Sequence, residues 1–378
     1  MKFYRGIGLL LAAGMLFTAC GAKEPEKEPS SASSVLEESV EVSSIAKETS
    51  EPAQESTVAF VDSVGREVTI PKNIERIVPS GGLAQQVLLT LAPEKVVALS
   101  ANIKGEVTRK ILAKAEGLPE VGQFYGKGDF NAETVAQVKP QLIIDIGEPK
   151  KTMKDDMDGV QEKTGIPTIF VELKMENAAQ AYRTLGKILS VEERAEKLAT
   201  YCEKVYGEIT DGVAKIPEEK RARYAFLVGE DGLNAIAKGS FQGEMLEKLG
   251  SNVVEVENPT AKGSGNEISA EELIGWDPEY IIFGPKSAYD TAAEDPFFST
   301  LQAVQNNHYY EVPASPYNWV GMPPSVNRFL GMQWLAKVFY PDTFTYDLKE
   351  RVQEYYKLFY DYELTDAQYQ TLVEKAVK

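Results

Sequence analysis

One histidine and two cysteines are the entire stock of imidazole and thiol groups in this 378-residue chain. His308, in Asn306-Asn307-His308-Tyr309-Tyr310, reads as a surface turn entering a strand, with no second histidine to complete a transition-metal site. No nucleophile–histidine pair can be drawn around it, and neither a G-x-x-x-x-G-K-S/T phosphate loop nor a zinc motif occurs. No catalytic residue and no metal ligand is therefore assigned, although carboxylate chemistry stays open in a chain so rich in Asp and Glu. What the residue types suit better is binding. Ser80-Gly81-Gly82 and Gly239-Ser240-Phe241 each lie between a strand-like run and a helix-like one, where ligands gather at the carboxyl ends of strands. Glycines there permit close backbone approach and leave amides free for an anionic group, and plain turn chemistry explains either segment equally well. A third cluster, running from Tyr317 through Asn318 and Trp319 to Pro323-Pro324 and Arg328, is a stiff loop ahead of a helix. Aromatic faces with one Arg suit a flat, conjugated or anionic ligand; the alternative is that Trp319 and Arg328 cap and pack that helix.

These groups need elements to hold them, and the clearest organising signal is a repeat. Glu133 stands seven residues before Pro140 and Glu271 seven before Pro278, and each Pro is followed by an apolar run, Leu142-Ile143-Ile144 or Tyr280-Ile281-Ile282. A spacing far beyond the roughly 20–50 residues of a solenoid unit predicts two whole domains on one plan. Each copy predicts a short helix with an exposed Glu, stopped by Pro, then a strand. Strands are predicted at 58–61, 67–70, 76–78, 96–99, 142–146 and 168–171, then at 223–228, 235–237, 252–256 and 280–283. Helices are predicted over 83–91, from about 241 through Leu249, over 329–339 and from Asp347 onward. Short apolar strands alternating with helices indicate α/β lobes, each a parallel sheet with helices on both faces. Between them Ser190 and Glu193 predict a capping box, and Ala195, Leu198, Cys202, Val205, Ile209 and Val213 recur at helical spacing, giving a long helical crossing. Cys202 falls on that apolar stripe and reads as a packed core thiol.

The chain's start reads differently. Lys2 and Arg5 precede an apolar run over 7–17, too short to span a bilayer comfortably, and Thr18-Ala19 leads into Cys20. Residues 21–57 are rich in Glu, Ser, Pro and Ala, a composition that buries too little apolar surface to fold and predicts a disordered tether. The formal net charge of −17 becomes two units more negative once Lys2 and Arg5 are removed, which argues against nucleic acid and against a polybasic membrane patch.

The 1–20 block resembles a bacterial lipoprotein signal, in which Cys20 becomes the lipid-modified first residue. With the tether, the Asp62-Ser63-Val64-Gly65-Arg66-Glu67-Val68 opening, the Arg76-Ile77-Val78 strand and the Glu–Pro repeat, the chain resembles an ABC-importer substrate-binding lipoprotein of the helical-backbone, class III periplasmic binding protein family, which includes ferric siderophore, heme and cobalamin binders. The resemblance implies an N-terminal lobe at 58–175, an interlobe helical segment at 176–214 and a C-terminal lobe at 215–378, joined by a rigid helix over a shallow ligand cleft. It implies that Glu133 and Glu271 dock onto arginines of an ABC permease, as exposed carboxylates at matching places can do through bidentate pairs. It also places a cleft aromatic at Tyr125. A prechelated metal brings its own coordination sphere, so a ferric siderophore is the leading ligand, with cobalamin, heme and oxyanions such as molybdate as alternatives. The expected partners are the permease with its ATPase, the chelate, and the membrane through lipid on Cys20, for an extracytoplasmic monomer with no intrinsic cofactor. A surface sensor or adhesion lipoprotein on the same fold is the competing reading.

Overall fold

The computed structural model describes residues 56–124 and 130–378, so Cys20, nearly all of the tether and Tyr125 lie outside the described residues. It opens on an antiparallel hairpin of β1 (Thr57–Val61) and β2 (Glu67–Pro71). Gly65, at φ 74°, turns the chain, and the buried Asp62 carboxylate accepts from Arg66 and its backbone N–H.

The first lobe follows as β3 (Ile77–Pro79), α1 (Gly82–Leu91), α2 (Glu106–Ile111), α3 (Ala132–Val138), β4 (Leu142–Gly147), α4 (Met153–Thr164) and β5 (Thr168–Glu172). Its sheet is parallel in the order β3-β4-β5. Alternation sends Ile77, Leu142 and Ile144 to one core and Val78 and Ile143 to another, so both sheet faces are covered. The strand expected at 96–99 is reduced to two isolated bridges, Val96 to Ile77 and Leu99 to Glu120, because Pro93 opens a tight 3₁₀ turn that delivers the chain to the sheet edge for one residue only.

The interlobe crossing is a helical hairpin of α5 (Ala178–Leu189) and α6 (Glu192–Ala214). Ser190 is not the N-cap that its sequence suggested. It takes left-handed geometry (φ 54°) to end α5, and the Val191 N–H donates to Gly186 O at 2.8 Å, a Schellman closure that leaves Val191 to start α6. Gly186 is required where the helices meet, since a Cβ would lie 2.3 Å from the Ala195 Cβ. Cys202 is buried on the expected stripe, and burial pushes its thiol well above its ordinary pKa. In a Cys20→Ser background we expect no reaction with a thiol reagent in buffer and full reaction in urea; rapid labelling of the folded protein would contradict this packing.

The second lobe runs β6 (Arg223–Val228), β7 (Asn234–Ala235), α7 (Glu244–Glu247), β8 (Ser251–Asn252), β9 (Asn266–Glu267), α8 (Ala270–Trp276), β10 (Tyr280–Phe283), α9 (Gln302–Gln305) and β11 (Tyr309–Glu311), then α10 (Arg328–Phe339), α11 (Leu348–Tyr360) and α12 (Asp366–Val373). Here β6, β10 and β11 are parallel, repeating β3, β4 and β5, while β7 and β9 extend the sheet antiparallel and β8 joins β6. The strands expected at 235–237 and 252–256 shrink to these short pieces, and the helix expected through Leu249 to the one turn of α7. Tyr224, Phe226 and Val228 face the same core as Ile77 and Leu142, whereas Ala225 and Leu227 face a separate outer core.

One apolar core thus runs from the first sheet through α5, α6, α10 and α11 to the second. Arg194 on α6 ties it further, donating to Thr90 O on α1 and to the carbonyls of Leu358 and Phe359 on α11. Shared packing of this kind makes the two lobes a stiff pair, because opening it would expose close-packed side chains. Among the described residues no helix is long and apolar enough to cross a membrane.

Candidate functional site

Strands β4 and β5 end at Gly147 and Glu172, and just beyond them Glu148, Lys150 and Lys174 line the space facing the second lobe. Opposite stand Gly239, Ser240, Phe241, Gln242 and the segment around Ala261 and Lys262. Two adjoining cavities of about 580 and 480 Å³ share Glu148, Phe241 and Ala261 and together form an interlobe cleft. Its place at the carboxyl ends of the strands is where α/β sheets bind ligands. Lys248 and Glu176 approach to 3.9 Å across it.

Of the residues singled out in the sequence, Gly239, Ser240 and Phe241 form the second-lobe wall. Gly239 has φ 80°, a conformation favouring Gly, and donates its N–H to Glu247 at 2.6 Å. The Ser240 hydroxyl donates to Thr260 O at 3.0 Å, leaving the half-buried Phe241 ring to serve both cavities. Across the cleft, Gly81 and Gly82 open α1 beside Leu83, which lines the cavity, and no side chain caps that helix. Ser80 lies deeper, fully buried, with its hydroxyl donating to the buried Asp145 carboxylate at the cleft floor.

The aromatic loop departs from expectation. Trp319 has no exposed surface and packs edge-on against Trp334, with ring centroids 6.3 Å apart. Asn318 closes its own turn, accepting from Val320 N and Gly321 N. Asn327 pins the loop: it donates to Tyr317 O and accepts from the hydroxyls of Tyr355 and Tyr360 on α11. Arg328 is 3% exposed, donates to Glu244 at 2.5 Å and to Phe241 O at 2.6 Å, and lies 4.7 Å from the Phe241 ring centroid. Burial pulls its pKa down from the usual guanidinium value while Glu244 opposes that shift. Trp319 and Arg328 are therefore buried behind the cleft wall, the packing alternative the sequence left open for them, since burying a large ring is worth more to the fold than exposing it, and neither they nor the half-buried Asn318 line the two cavities.

Lys150, Lys174, Lys262 and Gln242 were not foreseen. Glu172, 3.0 Å from Lys174, holds that ammonium above its ordinary pKa. Gln242 bridges segments, donating to Ala261 O and accepting from Met322 N. His308 stacks on Tyr280 with centroids 4.8 Å apart, and among the described residues no group of three or more His, Cys, Asp or Glu could hold a metal ion.

Glu133 and Glu271 are both exposed, near the starts of the seven-residue helices α3 and α8. Each helix ends on a left-handed residue, Lys139 or Asp277, both at φ 43°, followed by a buried Pro and a core strand. The repeat seen in sequence is thus a repeat in structure.

A family model described as periplasmic binding protein matches residues 85–316. The chain belongs to this family. Periplasmic binding proteins are extracytoplasmic solute binders that serve ABC transport, and the cleft is the feature of this member that such a role requires. No curated protein matches the chain. Among solved structures it is similar to an ABC transporter solute binding protein from Sulfurospirillum deleyianum, at 28% identity and TM-score 0.77, over 84% of this chain and 99% of that one. A periplasmic solute binding protein from Veillonella parvula shares 24% identity at TM-score 0.71, over 84% and 97%. Molybdate-bound MolA of Haemophilus influenzae shares 20% identity at TM-score 0.67, over 82% and 99%, a likeness of fold.

Proposed function

We propose that this protein captures a metal chelate of the ferric siderophore class in the interlobe cleft and hands it to an ABC permease and its ATPase. The observation that carries the reading is the lining of the cleft. The Phe241 ring offers an aromatic face, and Lys262 and the Glu172-paired Lys174 bring positive charge among the carboxylates of Glu148, Glu176, Glu244 and Glu247, while the described residues hold no donor cluster for a bare ion. A chelate that supplies its own donors needs shape, stacking and charge of this kind. Binding rather than catalysis is the proposed role, for a lipoprotein held at the outer face of the cell membrane through Cys20. Residues 58–175 and 215–378 are proposed as the lobes, with 176–214 between them. Glu133 and Glu271, exposed at matching places, are proposed to meet arginines of the permease.

One observation favours an oxyanion as the second reading: the uncapped start of α1 beside Leu83 has free amides suited to an anion, and a molybdate-bound protein has a similar fold. Calorimetric titration with catecholate and hydroxamate ferric siderophores, hemin, cobalamin, molybdate and bare Fe³⁺ and Ni²⁺ separates these. We expect a ferric chelate to bind at about micromolar Kd or tighter. Stoichiometric binding of a bare ion with no response to any chelate would overturn the proposal.

A further inference from the structure

The two lobes share a second repeat that their sequences barely announce. Arg76 stands immediately before β3 and Arg223 opens β6, the equivalent strand. Arg76 donates through Nε to the carbonyls of Val138 and Lys139, at 3.1 and 3.2 Å, and through Nη2 to Val138 O. Arg223 donates to Asp277 O at 3.1 Å and to Trp276 O at 2.6 Å. In both lobes the acceptors are the last carbonyls of the helix whose first turn carries Glu133 or Glu271. The backbone repeats as well. Gln141 N donates to Arg76 O and Glu279 N to Arg223 O, and the side chains of Gln141 and Glu279 accept from the backbone N–H groups of Arg76 and Arg223.

A seven-residue helix is too short to hold itself together in water, and a non-Gly residue in left-handed geometry at its end adds strain. A guanidinium fork on the terminal carbonyls supplies the missing hydrogen bonds and complements the helix dipole. Both arginines are exposed and neither lines the two cavities of the cleft, so solute binding gives them no use.

We propose that Arg76 and Arg223 are positioning residues for permease docking, each clamping the carbonyl end of the helix whose other end presents a docking carboxylate. The inference rests on the docking reading of Glu133 and Glu271 given above. It makes the docking surface a pair of matched units, Arg76 with Glu133 and Arg223 with Glu271, each tied to the leading strand of its own sheet.

The test is a set of lobe-matched double-mutant cycles with the full chain, read by surface plasmon resonance on nanodiscs holding the permease–ATPase complex from its own host. R76M and R223M each weaken association by about three- to tenfold, the size expected of a helix-end charge and its bonds. In an E133Q background R76M has no further effect, whereas it keeps its full effect in an E271Q background; R223M shows the mirror pattern. A purely structural role gives the same loss in both backgrounds and overturns the proposal, as does wild-type association of R76M and R223M while E133Q and E271Q impair it. If E133Q and E271Q themselves associate as wild type, the docking reading fails and the clamp falls with it. Arg→Lys variants keep the charge but lose the fork and restore association only in part.

Discussion

Reversing both exposed carboxylates, Glu133→Arg with Glu271→Arg, is expected to abolish uptake by cells while leaving the affinity for solute unchanged. The two side chains lie on short helices outside the cleft, and neither lines the cavities between the lobes. Their removal therefore costs the cleft nothing. Under the proposed docking, what changes is the encounter with the permease: two charge-assisted pairs would become two like-charge contacts, each capable of costing several kcal/mol at a desolvated interface. Single reversals should leave residual uptake, since one lobe still engages. Uptake of labelled solute by cells carrying the variant in place of the wild-type gene measures the first quantity, and calorimetry on purified protein the second. Uptake at the wild-type rate by the double variant would remove the docking role from both residues.

The second large effect is on stability. Arg328→Met should destabilise the fold by about 3–5 kcal/mol, because it strands the largely buried Glu244 carboxylate without its partner. The carbonyl of Phe241 loses a donor in the same step, and the Phe241 ring loses the guanidinium beside it. Replacing both members, R328M with E244M, should recover most of the loss, since a buried pair exchanged for apolar side chains of similar size is often near neutral. Urea unfolding of the two single variants and the double variant closes the cycle. An R328M protein as stable as wild type but deficient in solute binding would return Arg328 to the role of a ligand group.

Glu133 and Glu271 were legible because a Pro that stops a helix before an apolar strand is a local device, written in consecutive residues and written twice. The parallel sheets followed from runs such as Leu142-Ile143-Ile144 for the same reason. Trp319 and Arg328 were misplaced because a loop with adjacent prolines and aromatics reads alike whether its rings face solvent or a core. Burial of Trp319 depends on Trp334, and that of Arg328 on Glu244 and Phe241, contacts that local sequence does not reveal. Ser190 illustrates the same limit at short range: with Glu193 it satisfies a capping-box pattern, yet the Schellman closure of α5 claims it first. The cleft lysines were missed for a third reason. Lys150, Lys174 and Lys262 sit in loops beyond strand ends, where one lysine looks like any other solvated charge until both lobes are assembled around them.

The decisive property of the cleft is whether it carries an organic chelate. Native mass spectrometry of the protein purified from the membranes of its own host, followed by collision-induced release, measures this directly. The predicted result is one retained molecule per chain, whose mass contains both an organic scaffold and a metal. A bare transition ion retained at one per chain, with no organic species released, would contradict it.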